Sequence, residues 1–240
     1  MIIVGHRGAR HEAPENTVEG FTYAQANGCQ HFELDIQLSS DFELMVFHDD
    51  TLVRTTGTRG KLARFDSQTL KKLDARRNTP RWATPCTIPS LQDVINNAPH
   101  AQHWQFEVKT DSRHRLGNLA IKLDSFIAIN ALKDRVTVTS SDRWFLQLMQ
   151  RQNKTIELGY VAEWRLPNPV ETATKLGCSY LCLNASLATA KRIAAAKAHN
   201  MHVSVWTVND KNKMKELEQI GVDSIITDTP TLALNVFNNK

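Results

Sequence analysis

The feature that most restricts what this chain can fold into is a strand-then-helix rhythm running almost from end to end. Short β-rich runs stand at Ile2–Gly5, His31–Gln37, Trp104–Val108, Val136–Thr139, Ile156–Val161, Tyr180–Leu183, His202–Val208 and Ser224–Thr227. Between them lie segments with helical spacing, at Thr17–Asn27, Leu91–Asn97, Leu116–Asn130, Asp142–Gln152, Pro169–Leu176, Leu187–His199 and Lys211–Ile220, and Thr231–Phe237 closes the chain. The punctuation agrees. Asn16 stands where a cap is wanted, with Glu19 three residues on; Gly28 follows the same helix, Pro169 suits a first turn, and Gly177 and Gly221 fall where helices stop. Alternating strands and helices imply parallel strands joined by right-handed crossovers. Eight such units in 240 residues fit a closed (β/α)8 barrel, the TIM-barrel arrangement, better than an open doubly wound sheet.

Residues 49–89 break the rhythm. They follow a hairpin arm, Leu44–Phe47, and contain the loop-like run Thr56-Gly57-Thr58-Arg59-Gly60, so they read as an insertion after the second strand of a single domain spanning 1–240. Net charge is only +4, too weak by itself to imply a nucleic-acid partner, yet the insertion holds nine Lys/Arg against four Asp/Glu. That local excess reads first as a solvated surface, with weak steering of anions as its functional alternative. Cys29, Cys86, Cys178 and Cys182 include no Cys-x-x-Cys pair and read as buried free thiols. No apolar run approaches bilayer-spanning length, and Met1-Ile2-Ile3-Val4 meets His6-Arg7 before any signal-like stretch develops. The expectation is therefore a cytoplasmic protein with no stable membrane association.

Polar residues gather where a barrel keeps its chemistry. His6, Glu33, Asp35, Glu107, Lys109, Asn184, Trp206 and Asp228 all fall at or near C-terminal strand ends. Side chains two apart on a strand share a face, so Glu33 and Asp35 present paired carboxylates that repel each other unless a cation stands between them. With His6, Arg7 and His48 close in sequence, that set suits an oxygen-seeking divalent metal and an anionic substrate. Glu107 and Lys109 also admit a reading as a structural ion pair. The remaining histidines, His11, His31, His100, His103, His114, His199 and His202, read as structural, and neither common nucleotide phosphate fingerprint occurs.

Several runs then become recognisable in order: Gly5-His6-Arg7-Gly8, Pro14-Glu15-Asn16-Thr17, Phe32-Glu33-Leu34-Asp35, Val46-Phe47-His48-Asp49, Ile88-Pro89-Ser90-Leu91, Glu107-Val108-Lys109, Val205-Trp206-Thr207-Val208-Asn209 and Gly221 through Pro230. From residue 2 to about 232 the chain resembles the glycerophosphodiester phosphodiesterase family, in its bacterial cytoplasmic form. The resemblance implies a (β/α)8 barrel with a small inserted subdomain, one divalent metal, and hydrolysis of a small-molecule glycerophosphodiester to sn-glycerol 3-phosphate and an alcohol. It places the metal on Glu33, Asp35 and Glu107 and the acid/base pair on His6 and His48, with His6 as base. Oxygen-rich ligation favours Mg²⁺, then Ca²⁺ or Mn²⁺, over a structural zinc. The residues alone leave open which histidine is base and whether water or the substrate's own glycerol hydroxyl attacks.

Arg7 and Lys109 are expected to grip phosphate. Trp206 is expected against the glycerol face, or else as a barrel-layer aromatic, and Asn184 as a nearby polar contact, or else as a helix cap. One departure stands out. Where the family commonly shows small residues followed by Phe after the fourth barrel strand, this chain has Ser140-Ser141-Asp142, with aromatics delayed to Trp144 and Phe145. The rival functions are a lysophospholipase D-like or sphingomyelinase D-like phosphodiesterase and a non-enzymatic phosphate-ester binding protein.

Overall fold

A computed structural model describes residues 1–79 and 81–238. Its strands are β1 (Ile2–His6), β2 (His31–Leu38), β3 (Leu44–Val46), β4 (His103–Val108), β5 (Val136–Ser140), β6 (Glu157–Ala162), β7 (Tyr180–Asn184), β8 (His202–Trp206) and β9 (Ser224–Thr227). All but β3 run parallel, and β1 pairs with both β2 and β9, which closes an eight-stranded ring. The short β3 hangs antiparallel on β2, with Ile36 opposite Val46. The helices are α1 (Val18–Ala26), α2 (Val53–Thr56), α3 (Ser67–Leu70), α4 (Leu91–Asn97), α5 (Arg113–Ile129), α6 (Arg143–Gln152), α7 (Pro169–Lys175), α8 (Ala190–Ala198), α9 (Lys211–Gln219) and α10 (Pro230–Asn238). This is the (β/α)8 barrel that the alternation of elements implies.

Capping moves several boundaries from where spacing alone puts them. Thr17, not Asn16, caps α1, its hydroxyl accepting the Gly20 N–H at 3.0 Å. Asn16 instead sits at φ 53° with its side chain turned into the barrel mouth. Ser112 starts α5 at Arg113, and a 3₁₀ turn over Ala185–Leu187 delays α8 until Thr189 caps it. Gly28 closes α1 at φ 91°, a left-handed turn that a side chain would strain.

Alternation along each strand sends every second residue inside the barrel, and the register stacks these into tiers. His31 stands opposite His103 and Tyr180 opposite His202; one step up, Glu33 stands opposite Gln105 and Cys182 opposite Ser204; at the top, Asp35 stands opposite Glu107. The floor is aromatic, with Tyr180 stacked on His202 at 4.2 Å between ring centroids and on His103 at 5.8 Å. The middle is knitted by Gln105, which donates to Ser204 Oγ at 3.4 Å and accepts from Cys182 Sγ at 3.6 Å. The opposite set, Phe32, Leu34, Ile36 and Leu38, is buried in the main apolar core. Phe32 meets Phe21 and Trp104 there, at 5.7 and 5.1 Å.

A second small core of Met45, Phe47, Leu52, Leu62, Leu70, Ala75 and Ile88 seats the segment after β3. Part of that segment's positive charge is paired: Lys61 with Asp50 and Arg76 with Asp74 inside it, and Lys71 with Asp93 on α4. All four cysteines are free and buried, as their spacing implies. No helix among the described residues is long and apolar enough to cross a membrane.

Candidate active site

The C-terminal ends of the strands open into a cavity of about 550 Å³ lined by His6, Arg7, Arg10, Glu33, His48, Glu107, Lys109 and Trp206, among others. Its floor holds the acidic cluster. Glu33, Asp35 and Glu107 each offer a carboxylate oxygen within 4.8 Å of the others, and the first two are buried. Burial, then the neighbouring Asp35 and Glu107 charges, push the Glu33 carboxyl well above its ordinary range. Asp35 behaves oppositely. Burial raises it too, but Lys109, Arg7 and His48 beside it outweigh that and hold it ionised.

Glu33 Oε1 is buried with no hydrogen-bond partner among the described residues. A buried, orphaned carboxyl oxygen beside two further carboxylates is costly to ionise unless a cation meets it, so these residues fit a divalent, oxygen-bound metal. The charges agree, since three carboxylates face two cations here. Lys109 Nζ lies 2.8 Å from Asp35 Oδ1 and 2.5 Å from Glu107 Oε1, and Arg7 Nε lies 3.1 Å from Asp35 Oδ2. Glu107 and Lys109 thus form the ion pair that their spacing allows, while both face the cavity.

Each imidazole is braced through Nδ1 by an aspartate. His6 Nδ1 is 2.5 Å from Asp228 Oδ1, and its Nε2 is 3.9 Å from Glu33 Oε2. Burial lowers the His6 pKa, with the Asp228 hydrogen bond working against it. His48 Nδ1 is 2.6 Å from Asp49 Oδ1. In both rings an N–H at Nδ1 donates to carboxylate, which leaves Nε2 available for proton transfer. Gln37 sets the segment carrying His48, its amide donating to the carbonyls of Phe47, His48 and Asp49 at 2.9, 3.1 and 2.9 Å.

Every member of Pro14-Glu15-Asn16-Thr17 has a task. The Pro14 carbonyl accepts the Thr17 hydroxyl at 2.8 Å, and Asn16 Nδ2 donates to Asp35 Oδ2 at 2.7 Å. Buried Glu15 binds Arg7 at 2.8 Å and Arg54 at 2.6 and 2.8 Å. Arg54 Nε in turn donates to Asp49 at 2.6 Å, the carboxylate that braces His48. Burial pushes Glu15 up, yet the hydrogen bonds and charges of Arg54 and Arg7 bring it down to about 2. Arg7 itself occupies a tight turn at φ 53°, followed by Gly8 at φ 89°, where an added Cβ would lie 2.9 Å from the Gly20 backbone.

The site residues named from sequence are brought together with one exception. Asn184 Oδ1 accepts the Ser186 N–H at 3.0 Å and hydroxyl at 2.7 Å, so it caps a 3₁₀ turn and is not among the cavity's lining residues. Trp206 lines the cavity, its indole N–H donating to the Cys182 carbonyl at 3.3 Å. Sequence reasoning missed Glu15, Asp49 and Arg54 as supports, and left Asp228 without a role. Their signal was adjacency to recognisable runs, but nothing in the spacing showed that a loop glutamate would be buried. His11, read as structural, lies with Nε2 3.4 Å from Asp228 Oδ2. At the departing corner, Asp142 caps α6, Phe145 is buried in the core and Trp144 packs against it, so Ser141 rather than an aromatic meets the cavity.

Convergent carboxylates, aspartate-braced imidazoles and two cations at the C-terminal rim of such a barrel have the composition of an enzyme site suited to an anionic ester. The chain belongs to the glycerophosphoryl diester phosphodiesterase family, whose model matches residues 6–232. A glycerophosphodiester phosphodiesterase of Bacillus altitudinis is 29% identical over 238 residues, covering 98% of this chain and 97% of that one. Among solved structures, an Oleispira antarctica phosphodiesterase in complex with the product sn-glycerol-3-phosphate superposes with a TM-score of 0.88 at 24% identity, covering 99% of this chain and 97% of that one. A glycerophosphodiester phosphodiesterase from Agrobacterium tumefaciens gives 0.85 at 22%, with 98% and 99% covered.

Proposed function

We propose that this enzyme hydrolyses glycerophosphodiesters to sn-glycerol 3-phosphate and an alcohol, with a divalent metal held by Glu33, Asp35 and Glu107 and the proton transfers divided between His6 and His48. The observation that carries this reading is the excess of convergent carboxylates over cations between two aspartate-braced imidazoles. Three acids against Arg7 and Lys109 leave one negative charge; a divalent ion turns that to one positive charge, matching a phosphodiester monoanion. When bound, the ion, Mg²⁺ before Ca²⁺ or Mn²⁺, supplies charge that offsets the phosphoryl oxygens in the transition state.

The protein's own groups account for the rest. Arg7 and Lys109 present N–H donors to the phosphoryl oxygens and fix the ester in the cavity. His6 Nε2, kept neutral by burial, takes the proton from the attacking hydroxyl, while Asp228 steadies the imidazolium that results. His48 Nε2 gives a proton to the departing alkoxide, and Asp49 holds its ring in place. Trp206 offers an apolar face for the glycerol carbons. The attacking hydroxyl belongs to water or to the substrate's glycerol; a trapped cyclic glycerophosphate would identify the second.

The test is incubation of the purified protein with glycerophosphocholine, glycerophosphoethanolamine and lysophosphatidylcholine, with Mg²⁺, Ca²⁺ or EDTA. Release of glycerol 3-phosphate from the first two, abolished by EDTA, is expected. Turnover of the lysolipid alone would transfer the site to lipid substrates, and binding without turnover would make it a phosphate-ester receptor.

A further inference from the structure

The cavity wall is uneven. From β1, β2 and β4 come the imidazole, the carboxylates and the cations; from β5 to β8 come Thr139, Ser141, Val161, Glu163, Cys182 and Trp206. Glu163, just past the end of β6, is the sole charged side chain on that second wall among the described residues. It is exposed, and it makes no hydrogen bond or ion pair with any described residue. Every other acid lining the cavity belongs to the metal cluster. A free carboxylate in a site built to hold an anion repels that anion, unless the substrate carries positive charge elsewhere.

The barrel order separates the two arms of a diester. Trp206 on β8 lies beyond β9 from the His6 strand, whereas Ser141 and Glu163, just past the ends of β5 and β6, continue round the ring from the Glu107 strand. One stretch of wall thus offers an aromatic and the other a hydroxyl and a carboxylate, so the two arms of a diester would face unlike surroundings. Neither aromatic fills the Ser141 corner, since Phe145 is buried in the core and Trp144 packs against its edge.

Resting on the phosphodiesterase reading above, we propose that Glu163 selects diesters whose alcohol is cationic, of the ethanolamine or choline type, by facing that arm inside the cavity. A rim carboxylate facing one ammonium gives a preference of about fivefold, and salt weakens it.

The experiment measures kcat/KM for glycerophosphoethanolamine, glycerophosphocholine and the uncharged-alcohol diester glycerophosphoglycerol, in wild type and Glu163→Gln. The wild type should favour the two cationic alcohols, and the variant should lower the cationic-to-neutral ratio about fivefold. Raising NaCl to about 0.5 M should shrink the wild-type ratio towards the variant's. Equal loss on all three substrates, or an unchanged ratio, overturns the inference alone. Failure of the wild type to turn over any of the three overturns the phosphodiesterase reading and this inference with it.

Discussion

Replacing Asp228 by Asn should damage the enzyme more than replacing it by Ala. The reason lies in Asn209. Its Oδ1 accepts the Asp228 N–H at 2.9 Å and the Thr227 hydroxyl at 3.0 Å, so its Nδ2 must be the atom that donates to Asp228 Oδ2 at 2.8 Å. An Asn at 228 therefore has to turn its own oxygen to Asn209 and its NH₂ to His6 Nδ1. That amide stabilises the imidazole with its proton on Nε2, the nitrogen that should be free to accept one. Loss of a buried, charge-assisted hydrogen bond together with reversal of the tautomer amounts to about 3 kcal/mol, or roughly 150-fold in kcat. Alanine removes the brace without imposing the wrong tautomer and should lose roughly tenfold. The assay is steady-state release of glycerol 3-phosphate from glycerophosphocholine at saturating metal, with calorimetric metal affinity as control. Equal activity of the two variants, or an Asn form within about threefold of wild type, would refute the argument.

Glu33→Ala should abolish turnover by removing metal affinity, whereas His48→Ala should bind metal normally and lose roughly 10²-fold or more in kcat; calorimetry showing equal metal binding by wild type and Glu33→Ala would refute the ligand assignment. Glu15→Ala removes the shared carboxylate of Arg7 and Arg54, and denaturant titration should show a loss of about 3–5 kcal/mol. Acid should loosen the barrel floor: burial, then the nearby imidazoles, lowers His103 to about 4, and burial with Lys197 and His31, against Asp223, lowers His202 to about 4. Both are neutral when folded but protonate near 6.5 when unfolded, so their contribution is complete above pH 6.5 and is lost as pH falls towards 4. After halving for solvent screening it totals roughly 3 kcal/mol, and a His103→Gln/His202→Gln variant should lose correspondingly less stability between about pH 7.5 and 4.5 than wild type.

The barrel was legible because its signal is local and repeated: each strand and helix announces itself by period and composition, and eight repeats overdetermine the ring. Glu33 and Asp35 were legible because charge interrupting a buried strand demands compensation, whereas Glu107 joined them through the family resemblance, its spacing from Lys109 fitting an ion pair equally well. Asn184 shows the limit. Its position at a strand end fits both a substrate contact and a cap, and only the conformation of Ala185–Leu187 decides which atoms its amide meets. Asn16 erred the other way, looking like a cap while its neighbour Thr17 took that place. Glu15 and Arg54 were invisible for a different reason. Their meeting joins positions 39 residues apart, set by how the segment after β3 folds over the mouth, and no short-range pattern encodes that.

His6 lies in the first strand and the carboxylate that steadies it follows the last, 222 residues downstream. The two groups meet only once the strand that opens the ring has paired with the strand that closes it, Ile2 against Ser224 through Gly5 against Thr227. Turnover becomes a report that the ring has sealed, and any lesion that lets the final strand peel from the first should silence the enzyme while much of the remaining architecture persists.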